Sequence, residues 1–224
     1  MNLQNYAFYI FRTVYRGSDL PGKPAQNALS MKGMITKMKS SLKIFTNIHA
    51  MVFAAILVAI SVTGKMFAIN IGELLRISYE NLPVTMAGII FGPFAGFAVG
   101  ICSDLCGCLA VGYAINPIIT LGAGAIGFVA GTFSVLAKNK FSPLVLIISD
   151  IAGHAVGSIV IKTIGIYVYY GAEKGFWWLL YSRIGTYVPV VIFEVLIFLF
   201  LLTNKHVKNE LSRLTCTRSK RKES

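Results

Sequence analysis

Apolar residues in this chain run in blocks too long for the interior of a water-soluble domain. About Ile44–Gly64, Leu82–Gly92, Phe94–Gly112, Pro117–Ala137, Leu144–Tyr169 and Ile184–Leu202 each read as a membrane span. A hydrocarbon core of about 30 Å takes roughly 20 apolar residues in helical form. A soluble α/β protein with buried strands would instead break its apolar runs into pieces of about 4–8 residues. The second block is short and ends at Gly92-Pro93, with almost no loop before the third. The pattern predicts an all-α membrane protein, a bundle of six transmembrane helices with both termini cytoplasmic.

Between the blocks the chain turns polar. Lys65–Leu82, with Glu73, Arg76 and Glu80, reads as an amphipathic connection on the outer side. Gly112-Tyr-Ala-Ile-Asn-Pro117 is a polar turn between spans three and four, and YYGAEKGFWWLLYSR (169–183) reads as an outer loop with interfacial aromatics. Within the blocks, small residues recur at helical spacing: Ala50 and Ala54, Ala55 and Ala59, and the series Gly92, Gly96, Gly100. Such stripes let helix backbones approach closely, which drives association in lipid.

Composition agrees: 224 residues, 55% hydrophobic, 13% charged, with a mean hydropathy of +0.69. The net charge of +12 would suit a nucleic-acid partner if it formed one surface, but it does not. Of 21 Lys and Arg, seven precede Ile44, seven follow Thr203, and Lys138 and Lys140 share one short loop. Flanking clusters of this kind mark the cytoplasmic face. No nucleic-acid role is expected. The chain divides into an N-terminal cytoplasmic or interfacial extension (1–43), a six-helix transmembrane domain (44–203) and a basic cytoplasmic tail (204–224). The start, NYAFYIFRTVYR, is too charged to span and lacks a small-residue cleavage site before Gly17, so it reads as an interfacial helix, not a signal peptide.

The ionisable groups inside the spans carry the candidate chemistry, because charge at membrane depth is costly and faces a bundle interior or watery cavity. Asp150, His154, Ser158 and Lys162 recur every four residues along one helical stripe; Arg183, Tyr187 and Glu194 share a face of span six; Asp104 lies in span three. A proton or ion relay would need to connect across the membrane. Here Lys162, Arg183 and Arg76 gather with the outer loops, which suits a pocket. Asp150, His154 and Glu194 are expected to fix helix packing nearer the inner half, with His154 also kept as a candidate ligand contact.

An enzyme would need a nucleophile beside a base, or paired metal ligands. The three histidines, 49, 154 and 206, form no such cluster, and Cys106-x-Cys108 lacks zinc spacing, so neither a catalytic residue nor a metal is expected. No Gly-xxxx-Gly-Lys-Ser/Thr loop is present, so any ATP-driven function must take its motor from a partner.

Arg76-Ile-Ser-Tyr-Glu-Asn-Leu-Pro83, Ala87-Gly-Ile-Ile-Phe-Gly-Pro93, Asp104-Leu-Cys-Gly107 and Gly112-Tyr-Ala-Ile-Asn-Pro117 together resemble the substrate-binding S components of energy-coupling factor (ECF) vitamin transporters. The likeness is greatest to the folate-specific FolT branch and covers roughly Ile44 to Leu202. It implies a prokaryotic plasma-membrane protein that captures a vitamin from outside. Such a component docks on a transmembrane coupling protein driven by two cytoplasmic ATPase subunits, which bind the ATP. Ala55 and Ala59 match the Ala-xxx-Ala element that such components use for docking. The N-terminal extension (1–43) departs from the family's compact pattern. S components for riboflavin or thiamin share the fold, and a membrane scaffold without a small ligand is the alternative from another class.

Folate presents a flat pterin, an aromatic ring and a glutamate tail with two carboxylates. Bidentate Arg recognition suits that tail, which makes Arg183 and Arg76 its candidates, with Lys162 nearby. Tyr79, Tyr113, Trp177, Trp178 and Tyr187 offer ring faces or hydroxyls as walls. Asn116 can donate and accept at once. Asp104 is placed to accept from the pterin amino group, and a carboxylate buried there without a donor would be expensive.

Overall fold

A computed structural model of the chain describes residues 48–71, 75–137, 142–170 and 175–203. The interfacial helix expected near the N-terminus and the basic tail expected after 203 lie outside the described residues. The helices are α1 (Ile48–Met66), α2 (Asn81–Phe91), α3 (Pro93–Val111) and α4 (Pro117–Leu136). They are followed by α5 (Pro143–Gly153), a π-helical segment (His154–Ile161), α6 (Lys162–Tyr170) and α7 (Phe176–Thr203). The rod from α5 through α6 is continuous, so Pro143–Tyr169 acts as one 27-residue span.

Among the described residues, five helices are long and apolar enough to cross a membrane. The expectation of six complete spans is therefore met only in part. Helix α2 has 11 residues, roughly 16 Å at 1.5 Å per residue, about half of the hydrocarbon core. Gly92, at φ 96°, ends α2 and starts α3. This backbone region is costly for a side-chain-bearing residue, and Pro93 then supplies a ready-made first helical turn.

One boundary differs from the sequence expectation. Helix α7 begins at Phe176, so Trp177, Trp178 and Arg183 are helical and not part of an outer loop. Gly175, at φ 77°, makes the turn instead, and nothing from Phe176 onward interrupts a helix before Pro189. The all-α expectation also gains an exception. In the α1–α2 connection, β1 (Ile69–Ile71) pairs antiparallel with β2 (Leu75–Ile77), with Asn70 opposite Arg76. Strand β2 packs against α7.

Helix α4 is the centre of the bundle and contacts α2, α3, α5, the π segment and α6. The close approach rests on glycine at one junction. A Cβ on Gly127 would strike the Gly96 backbone, and one on Gly88 would strike the Gly127 carbonyl. Around this junction Leu57, Ala87, Ile90, Phe91, Ala95 and Val99 form one buried cluster; Leu82, Ile89, Ala130, Leu146 and Phe198 form another. The outward faces are equally apolar. Ile48, Met51, Val52, Ile56 and Ile60 of α1 and Val188, Ile192, Leu196 and Phe200 of α7 are all exposed, a surface suited to lipid and not to water.

Candidate functional site

One end of the bundle, where the hairpin and the α3–α4 turn lie, opens into a cavity of about 510 Å³. That falls inside the range of about 300–1,000 Å³ typical of small-molecule sites. Lys65 of α1 and Ser78, Glu80 and Asn81 at the start of α2 contribute to its wall. Asp104 and Cys108 of α3, the turn residues Tyr113, Ala114 and Asn116, and Lys162 and Ile166 of α6 continue it. Helix α7 closes it with Trp178, Arg183, Thr186, Tyr187 and their neighbours. The polar segments on either side of α2 and α3 therefore cover a single cavity.

Its floor is a hydrogen-bonded network. Lys65 Nζ lies 2.6 Å from Asp104 Oδ1 and 3.3 Å from Cys108 Sγ. Thr120 donates to Asp104 Oδ2 at 2.7 Å. A Cβ on Gly107 would collide with the Lys65 stem, so the glycine makes room for the lysine to cross from α1 to α3. Both charges are nearly buried, and a pair this close offsets the desolvation that either alone would suffer. Asn116 caps α4 by accepting from the Ile118 and Ile119 amides at 3.0 and 3.3 Å, and donates to the Gly165 carbonyl at 3.2 Å. One side chain thus starts α4, ties it to α6 and forms part of the cavity wall.

The upper wall carries the remaining charge. Lys162 Nζ lies 3.7 Å from Glu80 Oε1 and 3.4 Å from Asn81 Oδ1. Arg183 donates to the Tyr187 hydroxyl at 3.1 Å, one helical turn on, and sits 5.9 Å from that ring's centroid. Among the described residues, three cations and two carboxylates line the cavity. The lysines pair with the carboxylates, and among the described residues Arg183 has no carboxylate partner.

Of the residues that the sequence offers as ligand contacts, Asp104, Tyr113, Asn116, Lys162, Arg183 and Tyr187 therefore meet in one cavity. Three others do not line it. Tyr79 lies with its ring edge over Gly64. Trp177 is 68% exposed, and Trp178 takes the inward place. His154 is buried below the cavity, with Nε2 2.6 Å from Glu194 Oε2. Arg76 sits on β2, and its side chain lies outside the described residues. Sequence reasoning missed Lys65, Ser78, Glu80, Asn81, Ser182 and Thr186. For Lys65 a signal existed: a buried Asp104 demands a cation, and Lys65 is the cation at the end of the first apolar run.

The family model for the ECF-type riboflavin transporter S component matches residues 45–206, nearly three-quarters of the chain. The chain belongs to this family. It is accordingly a multi-pass protein of the prokaryotic plasma membrane, in a family of transporter components and not of enzymes. A solved structure of FolT bound with folic acid shares the fold, with a TM-score of 0.57 at 24% identity over 70% of this S component and 94% of that chain. A protein of Mycoplasma pneumoniae (strain ATCC 29342 / M129 / Subtype 1), described as an uncharacterized MG313 homolog, is 32% identical over 90 residues, 40% of this chain. The match spans 32% of that relative's length.

Proposed function

We propose that this S component captures folate from outside the cell and delivers it inward through a coupling protein powered by two ATPase subunits. The observation that carries the reading is the charge balance of the cavity. Arg183 faces it without a carboxylate partner among the described residues, and Lys162 is only loosely held by Glu80 at 3.7 Å. A ligand bringing two carboxylates answers both. Trp178, Tyr113 and Tyr187 supply aromatic surface within the same cavity for a flat ring system. In this reading Asp104 holds Lys65 and Thr120 in place and keeps lone pairs for the pterin, and Asn116 shapes the wall. The FolT fold supports the assignment, and the Lys and Arg clusters within residues 1–43 and 204–224 favour cytoplasmic termini.

A flavin is the second reading, favoured by the riboflavin name of the matching family. Riboflavin is uncharged at neutral pH and leaves Arg183 without an anion. Isothermal titration of the detergent-purified protein with folate and with riboflavin separates the two. Folate binding in the nanomolar to low micromolar range with no riboflavin heat is expected; the reverse order overturns the folate reading.

Docking on the coupling protein is assigned to α1. Ala55 and Ala59 lie on its exposed face among Val52, Ile56 and Ile60. Small side chains there leave a shallow strip into which another helix can pack.

A further inference from the structure

Below the vitamin cavity, the α5–π rod and α7 enclose a second polar centre that the proposed transport function does not use. Asp150, His154 and Glu194 are each at most 1% exposed, and one ligand-capable atom from each lies within 4.8 Å of the others. His154 Nε2 is the hub, 2.6 Å from Glu194 Oε2 and 3.9 Å from Asp150 Oδ1. Neither Asp150 oxygen has a hydrogen-bond partner among the described residues, and Glu194 Oε1 has none either. Three carboxylate oxygens are therefore shut in the interior without a close hydrogen-bond donor, the Thr85 hydroxyl facing Asp150 and the Leu82 amide facing Glu194 only from further off, an arrangement that costs several kcal/mol unless a cation or protons complete it.

We propose that Asp150, His154 and Glu194 bind a first-row divalent transition-metal ion of the zinc class. One imidazole and two carboxylates form an N/O donor set for such an ion, with a fourth position open. The two carboxylate charges neutralise a divalent cation, which a low-dielectric interior strongly favours over any unbalanced charge. Orientation of the imidazole is already in place. Nδ1 lies 3.1 Å from Ser158 Oγ, so a proton on Nδ1 donates to the hydroxyl and leaves the Nε2 lone pair for the metal. Binding replaces the proton shared between Nε2 and Glu194 Oε2 and any proton held on Asp150, and these are released to solvent. His154 is the first residue of the π segment, and π turns inside α-helices recur at functional sites.

The centre also touches the vitamin site. The His154 ring packs on Tyr187, with centroids 5.4 Å apart, and Tyr187 lines the cavity and holds Arg183. Metal occupancy fixes the imidazole and, through it, the Tyr187 ring.

The test is metal content of the full-length protein produced in medium containing Co²⁺, purified in detergent with affinity tags removed. One Co²⁺ per chain is expected, with visible d–d bands that Zn²⁺ displaces. The isosteric double variant Asp150→Asn/Glu194→Gln loses the bands, and Ser158→Ala weakens retention roughly tenfold. If the double variant does not fold, His154→Gln serves as the second probe, and the wild-type spectrum decides alone. A protein that carries neither Co²⁺ nor Zn²⁺ and shows protonated-carboxyl infrared bands insensitive to both ions overturns the proposal.

Discussion

At the scale of single residues, two cations define the cavity in different ways. Arg183 is half-buried and, among the described residues, held only by Tyr187, so its guanidinium can meet an anionic ligand. Arg183→Ala is expected to weaken folate binding by about 1.5–3 kcal/mol, the value of hydrogen bonds to charged groups, or roughly 10- to 150-fold in Kd; calorimetry checks it. Lys65 is structural. Lys65→Met strands Asp104 as a buried charge, and breaking such a pair costs about 3–5 kcal/mol. Thermal unfolding in detergent should show that loss, and Lys65→Met/Asp104→Asn should recover much of it because no uncompensated charge remains. The need for a donor to Asp104 is legible in the sequence, whereas its identity is not. Lys65 stands where an apolar run meets a polar connection, and only the fold shows that its stem passes over Gly107.

At the scale of elements, the bundle is set by where backbones can touch. Gly96, Gly127 and Gly88 allow α2, α3 and α4 to meet without side chains between them. Gly96→Ala overpacks that junction and is expected to cost about 1–3 kcal/mol. Gly185→Ala, on α7 with nothing within 4 Å of the added Cβ, should be neutral or stabilising by up to about 1 kcal/mol. Parallel melts of the two variants test whether close approach, and not helix propensity, sets the effect. The Gly-xxx-Gly spacing and the long apolar runs made most of these helices legible within a few residues. The start of α7 was not, because FWWLLYSR carries the aromatics of a membrane interface and a helix period at once. The β1–β2 hairpin is three residues on a side, too short for alternation to stand out.

At the scale of the whole molecule, the cavity opens at one end of the bundle and α1 presents its small-residue strip to the side. In the proposed function, ligand capture and partner docking therefore fall on separate surfaces. Ala55→Trp should leave folate affinity unchanged and abolish uptake when the coupling protein and ATPases are co-expressed. Uptake that survives would remove this face of α1 from the docking surface. That a cavity would form between the two polar segments was readable from their placement on one side of the membrane. That Trp178 and not Trp177 would face it was not, because the two differ only by a helical rotation of about 100°. The central claim, that this S component carries folate, is tested most directly by extracting the small molecule that co-purifies with the protein and recording its mass and absorbance. A folate is predicted; a flavin or thiamin in its place, or no bound molecule from cells supplied with folate, would contradict the account.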